Sequence, residues 1–442
     1  MARVSRPGLP PSASSVLGRV AVTAAGLILT LAPTAAGAQD RARGPWWDRS
    51  AEAKVGYYWI KTDLPADEAN DLARQINVMH AEYSKRLASL PQRVPSPLNV
   101  LIFKSRDDYL ETLRTRFGVN AAGSGGMFFV NPSGSGLAFW TEALSERRVH
   151  HVMQHEGFHQ FAYSRFGGDL PLWVNEGLAE FFGESVIVGR KLVIGQSNPR
   201  VINRVKQAIE RGSHVPFSQM LSMTSERWGE ALRSGTAGVH YSQAWSMVHF
   251  LVYGDNGKYV EAFERYLRFL NGGLPSENAF VRAFGDDIAA FERRWTEYAI
   301  AARPSAFLAA LERIEFLAEG ALELARRGVH PESLEALRDA MREIEFVYLV
   351  RKHGLDVKLR ADDDAVFTIP AGELTGEPPI FIVSKADPGR LSRRERFLEK
   401  TDPSPPAIAT EHLRPNVLSV RWHRNPDAAP GSGGFRYEIV VR

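Results

Sequence analysis

The stretch HEGFHQF, residues 155–161, places two histidines and a glutamate where they could act together on one metal ion. His155 and His159 are four residues apart. On an α-helix their imidazoles therefore lie about one turn and roughly 40° from each other, on one face. A single zinc ion can bind two rings at this spacing. Glu156 follows the first histidine and would point beside such an ion rather than onto it. The stretch thus predicts a metal site with an adjacent carboxylate.

A third ligand is available in DLPLWVNEGLAEFF, residues 169–182. Pro171 and Gly183 mark the ends of a predicted helix on which Glu176 and Glu180 stand one turn apart. A catalytic zinc ion takes three protein ligands and keeps the fourth position for water. Because the chain contains no cysteine, its metal ligands must be His, Asp or Glu, and Glu176 supplies the third.

HEGFH followed by WVNEGLAEFF resembles the gluzincin superfamily of zinc peptidases, the thermolysin and aminopeptidase N type. The closest likeness is to the peptidase MA-like secreted bacterial proteins, which are largely uncharacterised. The resemblance covers roughly residues 52–300 and includes the later segment HYSQAWSMVHFLVYG. It implies one zinc ion per chain held by His155, His159 and Glu176, with Glu156 as general base in peptide-bond hydrolysis.

The chemistry of zinc hydrolases favours the same assignment. Zinc lowers the pKa of a water molecule that it coordinates toward about 7, and a neighbouring carboxylate can take the proton as water attacks a carbonyl. Tyr241 falls where related peptidases carry a tyrosine that donates to the developing oxyanion. The alternative is a tyrosine near a helix start whose hydroxyl meets solvent. Glu180 shares the face of Glu176 and is predicted to accept the free ring N–H of a ligand histidine, or else to be a solvated or salt-bridged glutamate.

Other histidines and another zinc motif offer alternatives to this assignment. His151 lies four residues before His155 and could offer a different ligand pair, but we interpret it as a core or supporting histidine, as we do His240 and His249. The HExxHxxGxxH arrangement is excluded because Ala162 and Arg165 occupy the Gly and His positions.

A candidate substrate strand precedes the motif in AAGSGGMFFVNPSGSGLAFW, residues 121–140. Its two apolar runs flank a turn region and predict a hairpin or an edge strand, the alternative being a flexible loop. An extended peptide can pair with such an edge, so we assign substrate binding to Gly126, Met127 and Phe128. Strand side chains alternate, so only one of Phe128 and Phe129 can face the cleft. The run lacks the Glu and Asn of the Gly-x-Met-Glu-Asn segment in related aminopeptidases, which favours an endopeptidase.

The remaining pattern predicts an α+β fold. A metallopeptidase domain spans residues 39–303, with an α/β lobe at 52–145 and a helical lobe at 146–303. The α/β lobe contains a strand in VGYYWIKTDLP, a helix from Asp67 to Leu90 and a strand in PLNVLIFKS. Two amphipathic helices between Ala306 and Lys352 form a helical hairpin at 304–360. The alternating runs AVFTI, IFIVSK, LSVRWHR and RYEIVVR indicate a small β module at 361–442.

The N-terminus is typical of a secretory signal peptide over residues 1–38, cleaved after Ala38. The alternative, a membrane anchor, requires about 20 apolar residues, more than the run from Val20 to Ala32 provides. We therefore expect a periplasmic or secreted chain with no stable membrane anchor.

Removing the predicted signal peptide takes the formal charge of +3 to zero, so the sequence favours a peptide or protein substrate over nucleic acid. It leaves the oligomeric state open.

A different class of function fits the same residues. A non-catalytic, zinc-containing envelope protein could bind peptide or glycan through its groove or its C-terminal module. Glu156 favours the enzyme, because a structural zinc needs no general base and usually closes its fourth position with a protein ligand.

Overall fold

The structure is a computed structural model that describes residues 45–94, 98–189, 191–350, 357–371, 377–386, 403–413, 416–425 and 434–442. The predicted signal peptide, residues 1–38, lies outside these ranges. Within them, no helix has both the length and the apolar character needed to cross a membrane. The architecture is α+β, as the sequence predicts.

The N-terminal lobe is built on a five-stranded sheet with the order β1-β2-β3-β5-β4. Strands β2, β3 and β5 are parallel neighbours, and the outer strands β1 and β4 each run antiparallel to the adjacent strand. The elements of this lobe are α1 (Trp46–Arg49), β1 (Ala51–Val55), β2 (Tyr58–Thr62), α2 (Ala66–Arg86), β3 (Asn99–Phe103), α3 (Arg106–Phe117), β4 (Gly126–Asn131) and β5 (Gly134–Trp140). The hairpin and the edge strand expected in this region are therefore the same feature, with β4 at the edge.

Two features of this lobe differ from expectation. The strand predicted in VGYYWIKTDLP is β2, but a strand that was not predicted, β1, precedes it and pairs with it as a hairpin, because Gly56 adopts the left-handed conformation at φ +60° and turns the chain between them. Helix α3 was not predicted. Ser105 caps its start by accepting from the backbone N–H of Asp107, and Gly118 ends it at φ +67°.

The helical lobe packs against one face of the sheet around a shared apolar core. Its elements are α4 (Glu146–Phe166), α5 (Leu172–Gly183), β6 (Val186–Val188), β7 (Lys191–Val193), α6 (Pro199–Glu210), α7 (Phe217–Leu221), α8 (Ser225–Arg233), α9 (Ala237–Gly257), α10 (Val260–Asn271), α11 (Ser276–Phe284) and α12 (Ile288–Ala301). The short β6–β7 hairpin was not predicted within this stretch.

The C-terminal part forms a second core with its own sheet, β10-β11-β12-β13, which is antiparallel throughout. The β6–β7 hairpin joins this core through Val186, Val188 and Val193, and Lys191 Nζ donates to the carbonyl of Val441 at 2.9 Å. The elements are α13 (Ala306–Arg326), α14 (Leu334–Glu343), β8 (Val347–Val350), β9 (Val357–Arg360), a 3₁₀ turn (Asp364–Phe367), β10 (Ile380–Ser384), β11 (Ala407–Glu411), β12 (Leu418–Arg424) and β13 (Phe435–Val441).

Two expectations for this part are wrong. The second helix of the hairpin ends at Glu343, and Val347–Val350 pairs as a strand with Val357–Arg360 rather than continuing the helix toward Lys352. The AVFTI run contains the 3₁₀ turn instead of a strand, because the Asp363 side chain accepts from the backbone N–H of Ala365 and closes a turn there.

Candidate metal centre

Helix α4 carries the HEGFH motif. Ser145 caps its first turn by accepting from the backbone N–H of Arg148, and Gly167 ends it in the left-handed conformation at φ +63°. Tyr83 of α2 donates its hydroxyl to the carbonyl of Gln154 at 2.9 Å, beside the motif. Gly157 lets α2 approach closely, since a Cβ there would lie 3.3 Å from the Met79 methyl carbon. The helix is therefore fixed against α2 at the position of the histidines.

Helix α5 brings the NEG segment, residues 175–177, next to the two histidines of α4. A Cβ on Gly177 would lie 2.6 Å from the carbonyl oxygen of Ala244 in α9, which is closer than real Cβ contacts come. Glycine is thus required for the close contact between α5 and α9. This contact sets Glu176 opposite α4 and holds the start of α9, with Tyr241, near the site.

Three predicted ligand atoms meet in a compact triangle. The Nε2 atoms of His155 and His159 lie 3.1 Å apart, and Oε2 of Glu176 lies 3.3 Å from the first and 3.4 Å from the second. A tetrahedral zinc ion with ligands at about 2.0–2.1 Å separates those ligand atoms by about 3.3 Å. Oε2 of Glu176 is also buried, and its contacts with the two ring nitrogens lack the angles of a hydrogen bond. The side chains therefore fit one zinc-sized ion.

The electrostatics of the site favour positive charge between the carboxylates. Burial alone would lower the pKa of His155, but Glu176, Glu180 and Glu156 outweigh burial and raise that pKa well above its ordinary value. Burial alone would raise the pKa of Glu176, yet His159 and His155 hold it far below the usual range. Buried carboxylates need a compensating cation, which either a protonated histidine or a metal dication can provide.

The outer nitrogens of both histidines face acceptors. Nδ1 of His155 lies 3.3 Å from Oε1 of Glu180, and Nδ1 of His159 lies 3.0 Å from Oδ1 of Asn175. A proton on each Nδ1 leaves the Nε2 lone pair free to bind a metal. The sequence did not predict the contact of Asn175 with His159. The position of Asn175 directly before Glu176 could have indicated that it lies near the metal ligands.

A second group of possible ligands consists of His151, His155 and Glu180. It is looser than the first: His151 Nε2 lies 3.8 Å from Glu180 Oε2, and the ring centroids of His151 and His155 are 5.9 Å apart. In this second group, the atom of His155 that faces Glu180 is Nδ1, whereas in the first group the atom that faces Glu176 is Nε2. His151 lies between two carboxylates, with Nε2 3.8 Å from Glu180 and Nδ1 3.7 Å from Glu184, and its supporting role stays a prediction.

Glu156 lies beside the ligand triangle and is bound to the edge strand. Its Oε2 accepts from the backbone N–H of Phe128 at 2.8 Å. Gly126 allows β4 to come this near, because a Cβ there would lie 2.5 Å from a Val152 methyl carbon on α4. The proposed base and the proposed substrate strand are thus in direct contact, which the sequence pattern did not reveal.

The three strand residues assigned to substrate binding differ in orientation. Phe128 is partly exposed on the side of α4, with its ring centroid 5.7 Å from that of Tyr163. Met127 and Phe129 pack on the opposite side, in the core around α3. Of the two neighbouring phenylalanines, Phe128 therefore faces the cleft, and Gly126 and Met127 can offer only main-chain groups to a peptide.

Tyr241 lies near the start of α9, with its ring centroid 6.3 Å from that of His155. The Trp228 ring packs against it edge to face at 5.2 Å. Burial and the charge of Glu176 raise the pKa of Tyr241 above its ordinary value of 10.0. The hydroxyl is therefore protonated at neutral pH and can act as a donor.

His240 and His249 belong to neither group of possible metal ligands found among the described residues. His240 packs against the Trp228 ring with centroids 5.3 Å apart. His249 is buried in the helical core, where its Nδ1 lies 2.7 Å from the Tyr298 hydroxyl and its Nε2 3.2 Å from Ser197 Oγ.

Residues 150–275 match a family model described as "Protein of unknown function (DUF1570)". This region includes both candidate ligand segments and Tyr241. The family description assigns no activity, so the match adds no chemistry to the site. No curated protein matches the chain significantly.

Proposed function

We propose that this chain is an exported, gluzincin-type zinc peptidase that cleaves peptide bonds internally. The observation that supports this proposal best is the triangle of His155, His159 and Glu176, with distances that fit a zinc ion and Glu156 directly beside it. Two histidines and a glutamate are a ligand set of catalytic zinc, which keeps one position open. When bound, zinc would act as a Lewis acid that acidifies water and polarises a carbonyl.

The protein side chains have the remaining roles in the proposed reaction. Glu156 takes a proton from the attacking water and later delivers it to the leaving amine. The N–H of Phe128 orients the Glu156 carboxylate by its 2.8 Å hydrogen bond. Tyr241 donates its hydroxyl proton in a hydrogen bond to the oxygen on which negative charge develops. Glu180 and Asn175 hold the ligand histidines in the required tautomer.

The substrate would lie along β4. In an antiparallel pair, successive residues point their main-chain groups alternately toward and away from the partner strand. Since the N–H of Phe128 points away from β5 to Glu156, its carbonyl is also directed outward. An extended peptide can pair with that carbonyl, as in other complexes formed by strand addition.

The test combines metal analysis of the purified chain with digestion of an unbiased peptide library. The wild-type chain should contain about one zinc ion and cleave peptides internally, while Glu156→Gln should keep the zinc and lose cleavage. Zinc without any cleavage in the wild type would instead favour the rival function, a non-catalytic envelope protein that binds peptide or glycan. A chain without zinc affinity would contradict both.

A further inference from the structure

Gln154 directly precedes the HEGFH motif on α4, and only 1% of its surface is exposed. Glutamine is mostly an exposed residue, and a buried amide group needs hydrogen-bond partners. The partners of the Gln154 side chain therefore lie within the protein, next to the candidate ligand His155.

The Gln154 side chain contacts the C-terminal end of α5. We assign its amide so that the nitrogen faces three carbonyl oxygens, those of Phe182 at 2.8 Å, Gly183 at 3.1 Å and Ser185 at 3.0 Å. The opposite assignment would set an oxygen against three acceptors and leave both N–H groups unused. Since the last carbonyls of a helix lack N–H partners within that helix, Gln154 supplies donors to the end of α5.

These hydrogen bonds restrain α5 along its own axis, because helix carbonyls point along the axis toward the C-terminus. The contact of Gly177 with Ala244 acts across that axis instead. Glu176 lies roughly two turns before the end that Gln154 binds, so a displacement of this end carries Glu176 with it. Metal–ligand distances hold to within about 0.2 Å. The metal centre is therefore sensitive to small shifts of α5 along its axis.

Helix α4 carries both this contact and the two ligand histidines. Gln154 and His155 are consecutive residues, so one short piece of backbone connects the end of α5 to the first ligand. Tyr83 donates to the carbonyl of Gln154 at 2.9 Å, which restrains that backbone. A Cβ on Gly183 would lie 3.1 Å from the His151 ring, so glycine there lets the end of α5 lie close to α4.

We propose that Gln154 is a positioning residue for the metal centre: by holding the end of α5 against α4, it places Glu176 at the distance from His155 and His159 that one zinc ion requires. A neutral donor suits this place. A lysine would add positive charge close to the metal ion, and a glutamate would repel the carbonyl oxygens. The inference rests on the zinc site of the proposed function and does not require cleavage.

The test is the zinc affinity of Gln154→Met, measured by competition with a chelating dye. Methionine is flexible and similar in length but cannot donate to the three carbonyls. Its Kd for zinc should be at least about 10-fold higher than that of the wild type, as for other groups that orient metal ligands. A loss of stability alone leaves this Kd unchanged while the chain is folded, since the ion binds the native state. Circular dichroism checks the folded state.

Gln160 provides the matched control. It is also a fully buried glutamine on α4, next to His159, but its amide donates to the carbonyl of Asn99 in β3 at 3.0 Å. Gln160→Met should lower the Tm and keep the zinc Kd within about threefold of the wild-type value. The comparison separates the placement of α5 from the general loss of a buried hydrogen bond.

A double-mutant cycle tests whether the effect acts through Glu176. In a Glu176→Ala chain, zinc binding relies on the two histidines, and adding Gln154→Met should change the Kd by less than about twofold. The same 10-fold factor with and without Glu176 would contradict the placement of Glu176 by Gln154.

The remaining outcomes separate this inference from the proposed function. A wild-type Kd in Gln154→Met, or an equal rise in Gln160→Met, would overturn the role of Gln154 and leave the peptidase standing if the wild type cleaves. If the wild type binds zinc and cleaves nothing, the peptidase fails and the role of Gln154 stands on the Kd values. Should Gln154→Met not fold, Gln154→Ala replaces it, because the smaller side chain leaves room for water at the three carbonyls. Failure of both variants to fold with excess zinc would assign Gln154 to the fold alone and overturn the proposal.

Discussion

The backbone N–H of Phe128 donates to Oε2 of Glu156 at 2.8 Å, which joins the edge strand to the HEGFH helix. The two residues are 28 positions apart in the chain. One carboxylate oxygen of Glu156 is thereby held, so the proposed general base needs no large reorientation. Preorganisation of this kind removes part of the entropy cost of assembling reacting groups. The same contact fixes how far β4 lies from the ligand triangle.

Loss of one ligand should release the metal and lower stability. His159→Ala should bind no zinc at micromolar concentrations and should melt at a lower temperature than the wild type, because an ion that binds only the native state adds to its stability. The checks are zinc content and thermal unfolding, each with and without a chelator. Chelation should lower the Tm of the wild type and leave that of His159→Ala unchanged.

A half-exposed histidine provides the control for this substitution. His423 lies in β12, remote from the triangle in sequence and on the second sheet. His423→Ala should retain one zinc ion and the chelator response. Full zinc occupancy in His159→Ala would contradict the ligand assignment.

Removing the Tyr241 hydroxyl should slow turnover without affecting the metal. Tyr241→Phe keeps the ring and its contact with Trp228. Since the proposed hydrogen bond to the oxyanion would form only in the transition state, kcat should fall by about 10- to 1,000-fold with KM nearly constant. Steady-state kinetics together with zinc analysis test this. An unchanged kcat would mean that Tyr241 only packs beside the site.

The groups that orient the ligand histidines should govern metal affinity. Glu180→Gln weakens the acceptor at His155 Nδ1, and Asn175→Ala removes the one at His159 Nδ1. Each should raise the zinc Kd by about 10- to 100-fold, measured by competition with a chelating dye. Glu264, an exposed glutamate on α10, supplies the control Glu264→Gln, which should leave the Kd unchanged. Wild-type affinity in both site variants would show that these contacts are incidental.

The buried His249 should make the fold sensitive to acid. Burial lowers the pKa of His249 to about 4 from its ordinary 6.5. Between these values the unfolded chain binds a proton that the native chain does not, so stability falls as pH falls through this window and is unaffected above it. The gap corresponds to about 3 kcal/mol at most.

The measurement is urea unfolding of the wild type and His249→Gln between pH 7 and pH 4.5. His249→Gln should be less stable at pH 7, because it changes the contacts to Tyr298 and Ser197. Its deficit should shrink as the pH falls, since glutamine does not titrate. A deficit that stays constant across the range would show that His249 does not cause the acid sensitivity.

The sequence was enough to predict the three candidate ligands, His155, His159 and Glu176, but not the contact of Asn175 with His159. A separation of four residues places His155 and His159 on one helical face whatever surrounds that helix, and the NEG segment supplied Glu176. The contact between Phe128 and Glu156 could not be found in this way. It depends on how a sheet edge packs on a helix, and on Gly126 for the closeness of that approach.

The fold class was also predictable, but short elements were not. The strands β6 and β7 have three residues each. Such a short run is too short for the alternation of apolar and polar side chains to be recognised. In AVFTI, alternation indicated a strand, yet the cap from Asp363 to Ala365 produces a 3₁₀ turn. Local hydrogen bonding by an aspartate here outweighed the apolar pattern.

The last prediction is that cleavage is internal and does not require a free N-terminus. An aminopeptidase binds the free α-amino group through an acidic residue near the edge strand, but β4 (GMFFVN) carries no acidic side chain. Phe128 lines the space beside the candidate metal centre instead, and its ring carries no negative charge to form a salt bridge with an ammonium group. Matched peptides with free and acetylated N-termini should therefore be cut at the same internal bond, with kcat/KM equal to within about threefold. Mass spectrometry of the products identifies the bond, and stepwise release of single amino acids from the free peptide alone would overturn this prediction.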